Sequence, residues 1–357
     1  MTATKNQQKG YWEIQFYYKD WTGTRRKKHK RGFKTKREAI EWAEDFKQKQ
    51  SQSMDMLLRN FSEVYFEDME NRLRESTIKN KKYIIELKIL PYFGDKKVSE
   101  ITASDIRKWQ NTLLKEGYAP TYLKTINNQL SAIMNYAVQY YNLPSNPCKQ
   151  AGSMGKSKAE EMDFWTKEEF QSFVVCVKDK PHIYMAFMLL YWTGMRTGEL
   201  LALTGNDIDF ENKVISITKS YQRLDGKDII SEPKTAKGKR KITLPDFLVE
   251  ELDEYVQKLY GYMPTDRIFH FTKHNLVHEM KRGVKLSGVK KIRLHDLRHS
   301  HASLLISELR MPPLLVAERL GHEKIQTTLD TYSHLYPNQA RDLADQLNSL
   351  YSKETEE

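Results

Sequence analysis

Arg196, Lys234, His295, Arg298, His322 and Tyr332 are residues whose types and order suit a metal-free attack on a phosphodiester. Such a reaction passes through a five-coordinate phosphorus with extra negative charge on its non-bridging oxygens. Arginine meets those oxygens best, because its planar guanidinium donates two parallel hydrogen bonds. The displacement also needs a nucleophile that bonds to phosphorus and an acid that protonates the departing hydroxyl. The sequence supplies these parts in order. Arg196 stands in Thr193-Gly194-Met195-Arg196-Thr197-Gly198-Glu199-Leu200, at a glycine-flanked break after an apolar helix, with Glu199 three residues on. Lys234 lies in Pro233-Lys234-Thr235-Ala236-Lys237-Gly238, a turn between two strands. His295-Asp296-Leu297-Arg298-His299-Ser300-His301-Ala302 sets a histidine and an arginine three apart, on one face of a helix start. His322 closes Leu320-Gly321-His322, and Tyr332 ends Thr328-Leu329-Asp330-Thr331-Tyr332.

Each of these residues also has a plainer reading. Arg196 could cap its helix or simply pair with Glu199, and His295 could be a helix cap. His299 and His301 read as structural. Tyr332 competes with Tyr336 and Tyr351, and Lys234 with Lys237 and Lys239. His270, His274 and His278 recur every four residues, as zinc ligands on one helix face can do. They have no cysteine beside them, and no metal is expected.

These residues need elements to hold them. In the C-terminal half, helices are expected over Thr166–Val177, Pro181–Thr193, Pro245–Tyr260, Asn275–Val284, Arg298–Ser307, Pro313–Leu320 and Asn338–Leu350. Strands are expected over Val214–Tyr221, Asp228–Glu232 and Lys241–Leu244. Before them, Lys149–Glu161 is small and polar and reads as a linker. Residues 54–142 read as all-helical: Leu57–Leu73, Ser76–Leu90 with Ser76 as a candidate cap, Ser104–Leu114 and Pro120–Tyr141. At the N-terminus, Gly10–Tyr18 alternates as a strand, Thr24–Phe33 is a second and very basic strand, and Lys36–Gln50 is a helix. The expected class is therefore a multidomain α+β protein, divided at 1–53, 54–148, a linker at 149–162, and 163–357.

Bulk properties narrow the partner. The chain of 357 residues carries a net charge of +11 and a pI near 9.2, which favours an anionic partner such as nucleic acid. Residues 1–50 alone hold fourteen Lys or Arg against six Asp or Glu, so most of the excess lies there. Arg25, Arg26, Lys27, Lys28, Lys30 and Arg31 are the candidate DNA contacts. No run of about 18 apolar residues suggests a membrane span. With Cys148 and Cys176 alone and no signal-like N-terminus, a reducing cytoplasm is expected.

The ordered set TGMRTGEL, KTAKGK, HDLRHSHA, LGH and TLDTYSH resembles the signature of the tyrosine recombinases, the integrases of temperate phages and integrative elements. One such motif occurs often by chance; five in order over residues 163–340 do not. The resemblance implies that Arg196 and Arg298 grip the scissile phosphate, with Glu199 bracing the first. His295 would serve as a general acid–base, His322 as a hydrogen-bond donor to phosphate, Lys234 as the acid for the 5′-hydroxyl, and Tyr332 as the nucleophile. The first two domains look like the arm-binding domain and the helical SAM-like core-binding domain of lambda-like integrases. In that family the arm sheet has a third strand, expected here around Arg31–Lys34. The catalytic domain would be mixed and mostly helical with a small antiparallel sheet. The resemblance further implies a clamp around duplex DNA at core and arm attachment sites, and four protomers exchanging strands through a Holliday junction. It implies a 3′-phosphotyrosine intermediate, no cofactor, a host DNA-bending protein and an excision factor, and activity near the bacterial nucleoid. The element so integrated and excised would be a phage genome or a conjugative transposon. The last helix would pack into a neighbouring protomer.

Overall fold

The computed structural model describes residues 3–5, 10–19, 25–50, 55–157, 163–233 and 235–336. Two compact units divide the chain, Met1–Glu160 and Glu161–Glu357. Among the described residues, no helix is long and apolar enough to cross a membrane.

In the first unit, β1 (Ala3–Lys5), β2 (Trp12–Lys19) and β3 (Arg25–Phe33) form an antiparallel sheet in that order, and α1 (Lys36–Gln50) covers one face. Ile14, Phe16 and Phe33 pack with Ala39 and Ala43 of α1 into a small core. The third strand is therefore not at Arg31–Lys34, which continues or follows β3. It is Ala3–Lys5, paired with Trp12–Ile14. Three residues without alternation carry no strand signal, and only the partner edge makes them one.

The helical part comprises α2 (Leu58–Met69), α3 (Glu75–Ile84), α4 (Leu90–Phe93), α5 (Ala103–Lys115), α6 (Pro120–Tyr140) and α7 (Pro147–Ala151). Their apolar faces close on Phe61, Phe93, Trp109, Leu130 and Ile133. Arg74, not Ser76, is the residue before the first turn of α3. A π-helical turn, Ile85–Ile89, links α3 to α4. α5 opens on a reciprocal cap two residues before the expected start: Thr102 and Asp105 side chains each bond the other's backbone.

The stretch read as a linker, 149–162, is packed as far as it is described. α7 starts at the Asn146 cap, Gln110 Nε2 donates to the Gly152 carbonyl (2.8 Å), and Met154 is buried. Lys156 N–H donates to the Pro120 carbonyl (3.1 Å). Its small polar residues leave room for the helices to bond its backbone, which composition alone does not reveal.

The second unit comprises α8 (Lys167–Val175), α9 (Pro181–Thr193), α10 (Thr197–Ala202), β4 (Ile208–Asp209), β5 (Val214–Ile217), β6 (Ser220–Leu224), β7 (Lys227–Ser231), β8 (Arg240–Thr243), α11 (Asp246–Gln257), α12 (Lys273–Ser287), α13 (Asp296–Ser303), α14 (Pro313–Leu320) and α15 (Ile325–Tyr332). Val214–Tyr221 is two strands rather than one: β5 sits between β4 and β8, while β6 pairs with β7. α9 is apolar on all sides because it runs through the core, where Phe187 and Tyr191 are buried. A π-helical turn, Leu304–Glu308, extends α13. Asn338–Leu350 lies outside the described residues, as does Lys234.

Candidate active site

Arg196 caps α10, and its geometry is set by Glu199. The Arg196 N–H donates to Glu199 Oε2 (2.9 Å) and its Nη1 to Glu199 Oε1 (2.8 Å). Glu199 is buried, and Arg240 of β8 meets it from the other side, Nη2 to Oε2 at 2.8 Å. Burial alone would raise this carboxyl. The hydrogen bonds and charge of Arg240, with help from Arg196, outweigh it and hold the group below the usual range, so Glu199 stays ionised. Arg196 itself remains 42% exposed, free to face an anion.

Arg298 approaches the same corner from α13. Its Nη1 donates to the Gly194 carbonyl (2.9 Å) and its Nη2 to the Leu320 carbonyl (2.6 Å). Gly194 ends α9 with φ +66°, and a Cβ there would come 2.6 Å from His301 Cδ2. The helix can therefore turn into the Arg196 loop and offer its carbonyl only with glycine. Burial, and then repulsion from Arg196 and Arg240, disfavours the Arg298 charge. An arriving phosphate would relieve that repulsion.

His295 precedes the first turn of α13, which Asp296 anchors by accepting from the Arg293 N–H (2.7 Å) and from its guanidinium. One turn on, His299 lies across from it, ring centroids 5.3 Å apart and perpendicular. His299 Nδ1 is 2.6 Å from Tyr332 Oη. A neutral imidazole there accepts a hydrogen bond from the phenol. Burial and then His295 push His299 down to about 4, so it is such an acceptor at neutral pH. Tyr332, at the end of α15, is buried, which raises its phenol well above the ordinary value despite the opposing charge of Arg298. Burial followed by Arg298 lowers His295.

His322 follows the left-handed Gly321 at the end of α14. Its Nδ1 is 2.8 Å from Thr328 Oγ1. If the threonine hydroxyl donates, the ring proton sits on Nε2 and can be given to an oxygen. Burial and then Arg298 and Arg196 push His322 down to about 4. Lys234 is outside the described residues. Its rivals Lys237 and Lys239 are both exposed, and Lys239 Nζ pairs with Glu232 (3.0 Å).

Arg196, Glu199, His295, Arg298, His322 and Tyr332 thus share one neighbourhood. His299, read from sequence as structural, is the residue in hydrogen-bond contact with the tyrosine. Its signal was present: it stands four after His295 and so lies on the same helix face. His301 is structural: wholly buried, it accepts from Arg319 Nε (3.0 Å) and is pushed down to about 3. Among the described residues, no three His, Cys, Asp or Glu side chains are grouped to hold a metal ion.

On the first unit, the six candidate DNA contacts fall on two faces. Lys30 and Lys28 oppose the buried Ile14 and Phe16 and carry their ammoniums over Trp42 (4.4 Å) and Phe46 (5.1 Å) of α1; Arg26, opposite Tyr18, shares their side. Arg25, Lys27 and Arg31 share the open face, with Arg25 over Tyr17 (4.4 Å) and Arg31 paired to Glu13 (3.2 Å).

A model of the phage integrase family matches residues 164–339, one of the phage integrase N-terminal SAM-like domain residues 57–114, and one of an arm DNA-binding domain residues 2–50. The ICEBs1 integrase of Bacillus subtilis is 31% identical over 301 residues, covering 80% of this chain and 81% of that protein. A XerC-like tyrosine recombinase of Caldanaerobacter subterraneus is 28% identical over 288 residues, covering 71% and 73%. The Tn1549 transposon integrase, solved with a circular intermediate DNA, superposes with a TM-score of 0.68 at 22% identity, over 80% of this chain and 99% of that one. A lambda integrase dimer bound to a COC' core site superposes with a TM-score of 0.60 at 20% identity, over 95% of each chain.

Proposed function

The chain belongs to the phage integrase family of tyrosine recombinases, site-specific enzymes that cleave and rejoin DNA strands, and on that premise we propose how its residues divide the chemistry. Double-stranded DNA is the substrate. Arg196 and Arg298 hold the non-bridging oxygens of the scissile phosphate, and His322 Nε2 donates a third hydrogen bond. Tyr332 Oη attacks phosphorus and its proton passes to His299 Nδ1, with His295 beside it as the family's acid–base. The bond from phosphorus to the 5′-oxygen breaks, and Lys234 protonates that oxygen. The 3′-phosphotyrosine conserves the bond energy, so a 5′-hydroxyl from a partner strand reverses the step without a cofactor. Two rounds by a tetramer make and resolve a Holliday junction and so integrate or excise a mobile element, with a host bending protein and an excision factor as further partners.

The observation that carries this reading is the 2.6 Å contact between Tyr332 Oη and His299 Nδ1, one residue after the carbonyl-anchored Arg298. The contact gives the buried phenol a neutral imidazole as its acceptor, with the charge of Arg298 close enough to favour the phenolate. The test is a nicked duplex spanning the element's own core junction, which traps the covalent intermediate. Wild type should form a protein–DNA adduct and Tyr332→Phe none. An adduct persisting in Tyr332→Phe would sink the assignment.

A further inference from the structure

Arg240 is an arginine on the inward side of a strand, sharing its parity with the buried Ile242. Its side chain is 6% exposed. A buried guanidinium is costly unless its donors are met. Here Nη2 donates to Glu199 Oε2 (2.8 Å), Nη1 to Glu199 Oε1 (3.2 Å) and to the Gly238 carbonyl (3.3 Å), and Nε to the Arg319 carbonyl (2.9 Å).

Those acceptors lie on three separate pieces of the site. Glu199 is the carboxylate that holds Arg196. Gly238 closes the turn that follows Lys234. Arg319 precedes the Leu320 carbonyl gripped by Arg298 and leads into Gly321 and His322. The fit at that corner is close: a Cβ on Gly321 would come 2.9 Å from Arg240 Cδ and 2.9 Å from the Lys237 carbonyl. Charge divides in the same sense. Arg196, Arg240 and Arg298 gather around the buried carboxylate Glu199. Arg240 spends its donors on protein, whereas Arg196 gives Glu199 one side-chain donor and stays open to solvent.

We propose that Arg240 is a positioning residue for DNA cleavage. By sharing Glu199 with Arg196, and by tying Gly238 to Arg319, it fixes the phosphate-gripping guanidinium against the lysine-bearing turn and the His322 corner. It does not touch the phosphate. This rests on the reading of Arg196 as a phosphate ligand.

The test compares Arg240→Lys, Arg196→Lys and the double variant of the full chain on the nicked core-junction duplex. Arg240→Lys should slow adduct formation at saturating DNA by about tenfold or more while leaving duplex affinity within about threefold. The double variant should be slower than Arg196→Lys by clearly less than the factor that Arg240→Lys costs alone, because the two changes share the Glu199 contact. Losses that multiply, a matching loss of DNA affinity, or an unchanged rate in Arg240→Lys would each overturn the proposal. Should Arg240→Lys fail to fold, Arg240→Gln, uncharged and smaller, takes its place in the same comparison. A wild type that forms no adduct would instead indict the recombinase chemistry, which separates the two failures.

Discussion

Three histidines of the catalytic unit are held neutral by burial: His299 and His322 are pushed down to about 4 and His301 to about 3. In the unfolded chain a histidine titrates near 6.5. The unfolded state therefore binds more protons between these values, and stability must fall as pH drops from about 6.5 toward 4. The contribution is complete above 6.5. His301→Gln keeps an acceptor for Arg319 but removes one titrating ring, so its melting temperature should fall less steeply over that window than wild type. Parallel curves for the two proteins would contradict this assignment. Core-site DNA should act in the same direction, because a phosphate beside His322 favours its protonated form and narrows the gap. His299 carries a weak signal in the sequence. Its type is common, its neighbour Arg298 has the stronger signature, and only the arrival of Tyr332 from α15 makes it a base. Arg240 was legible in principle: a charged residue in phase with Ile242 on a strand demands a buried partner, and Glu199 was already in view.

At the scale of elements, punctuation residues were the reliable guides. Pro181–Thr193 and Pro313–Leu320 appear with the bounds their sequence suggests, because proline opens each and a glycine in the left-handed region closes it. Elements that depend on partners were not legible: Ala3–Lys5 becomes a strand only on the edge of β2, and residues 149–157 are held by side chains from α5 and α6. The candidate site was read mainly from motif order, and its geometry follows from where these helices stop. Gly194 is the sharpest case. Alanine at that position pays about 1–2 kcal/mol for the left-handed backbone, and its methyl would also meet His301 and Leu320 at under 3 Å. For a unit of this size each kcal/mol lowers the melting temperature by about 2–4 °C. Gly194→Ala should therefore melt several degrees lower. It should also lose adduct formation out of proportion to that, because the carbonyl that anchors Arg298 moves. A destabilised protein with a wild-type cleavage rate would show that the carbonyl anchor does not matter.

At the scale of the whole chain, the excess charge and the chemistry lie at opposite ends, which implies a division of labour. Removing residues 1–53 should abolish recombination between two attachment sites yet leave cleavage of an isolated core site. The cut is not clean, since Asn60 Nδ2 of α2 donates to Asp45 Oδ1 of α1 at 2.6 Å, so deletion alone could disturb the helical bundle. The sheet's alternation provides a gentler probe. Arg25, Lys27 and Arg31 lie on the open face, whereas Lys28 and Lys30 are committed to the aromatic rings of α1. Replacing the first three by glutamine leaves the small core of Ile14, Phe16 and Phe33 untouched. Each phosphate contact adds about 0.9 to the slope of log affinity against log salt. The triple variant should therefore lower that slope for arm-site duplex by up to about 3, with core-site affinity and adduct formation unchanged. The matching change at Lys28 and Lys30 should cost stability through lost cation–π contacts and shift the slope less. A larger slope change from Lys28 and Lys30 than from the open face would mean that DNA approaches from the helix side of the sheet.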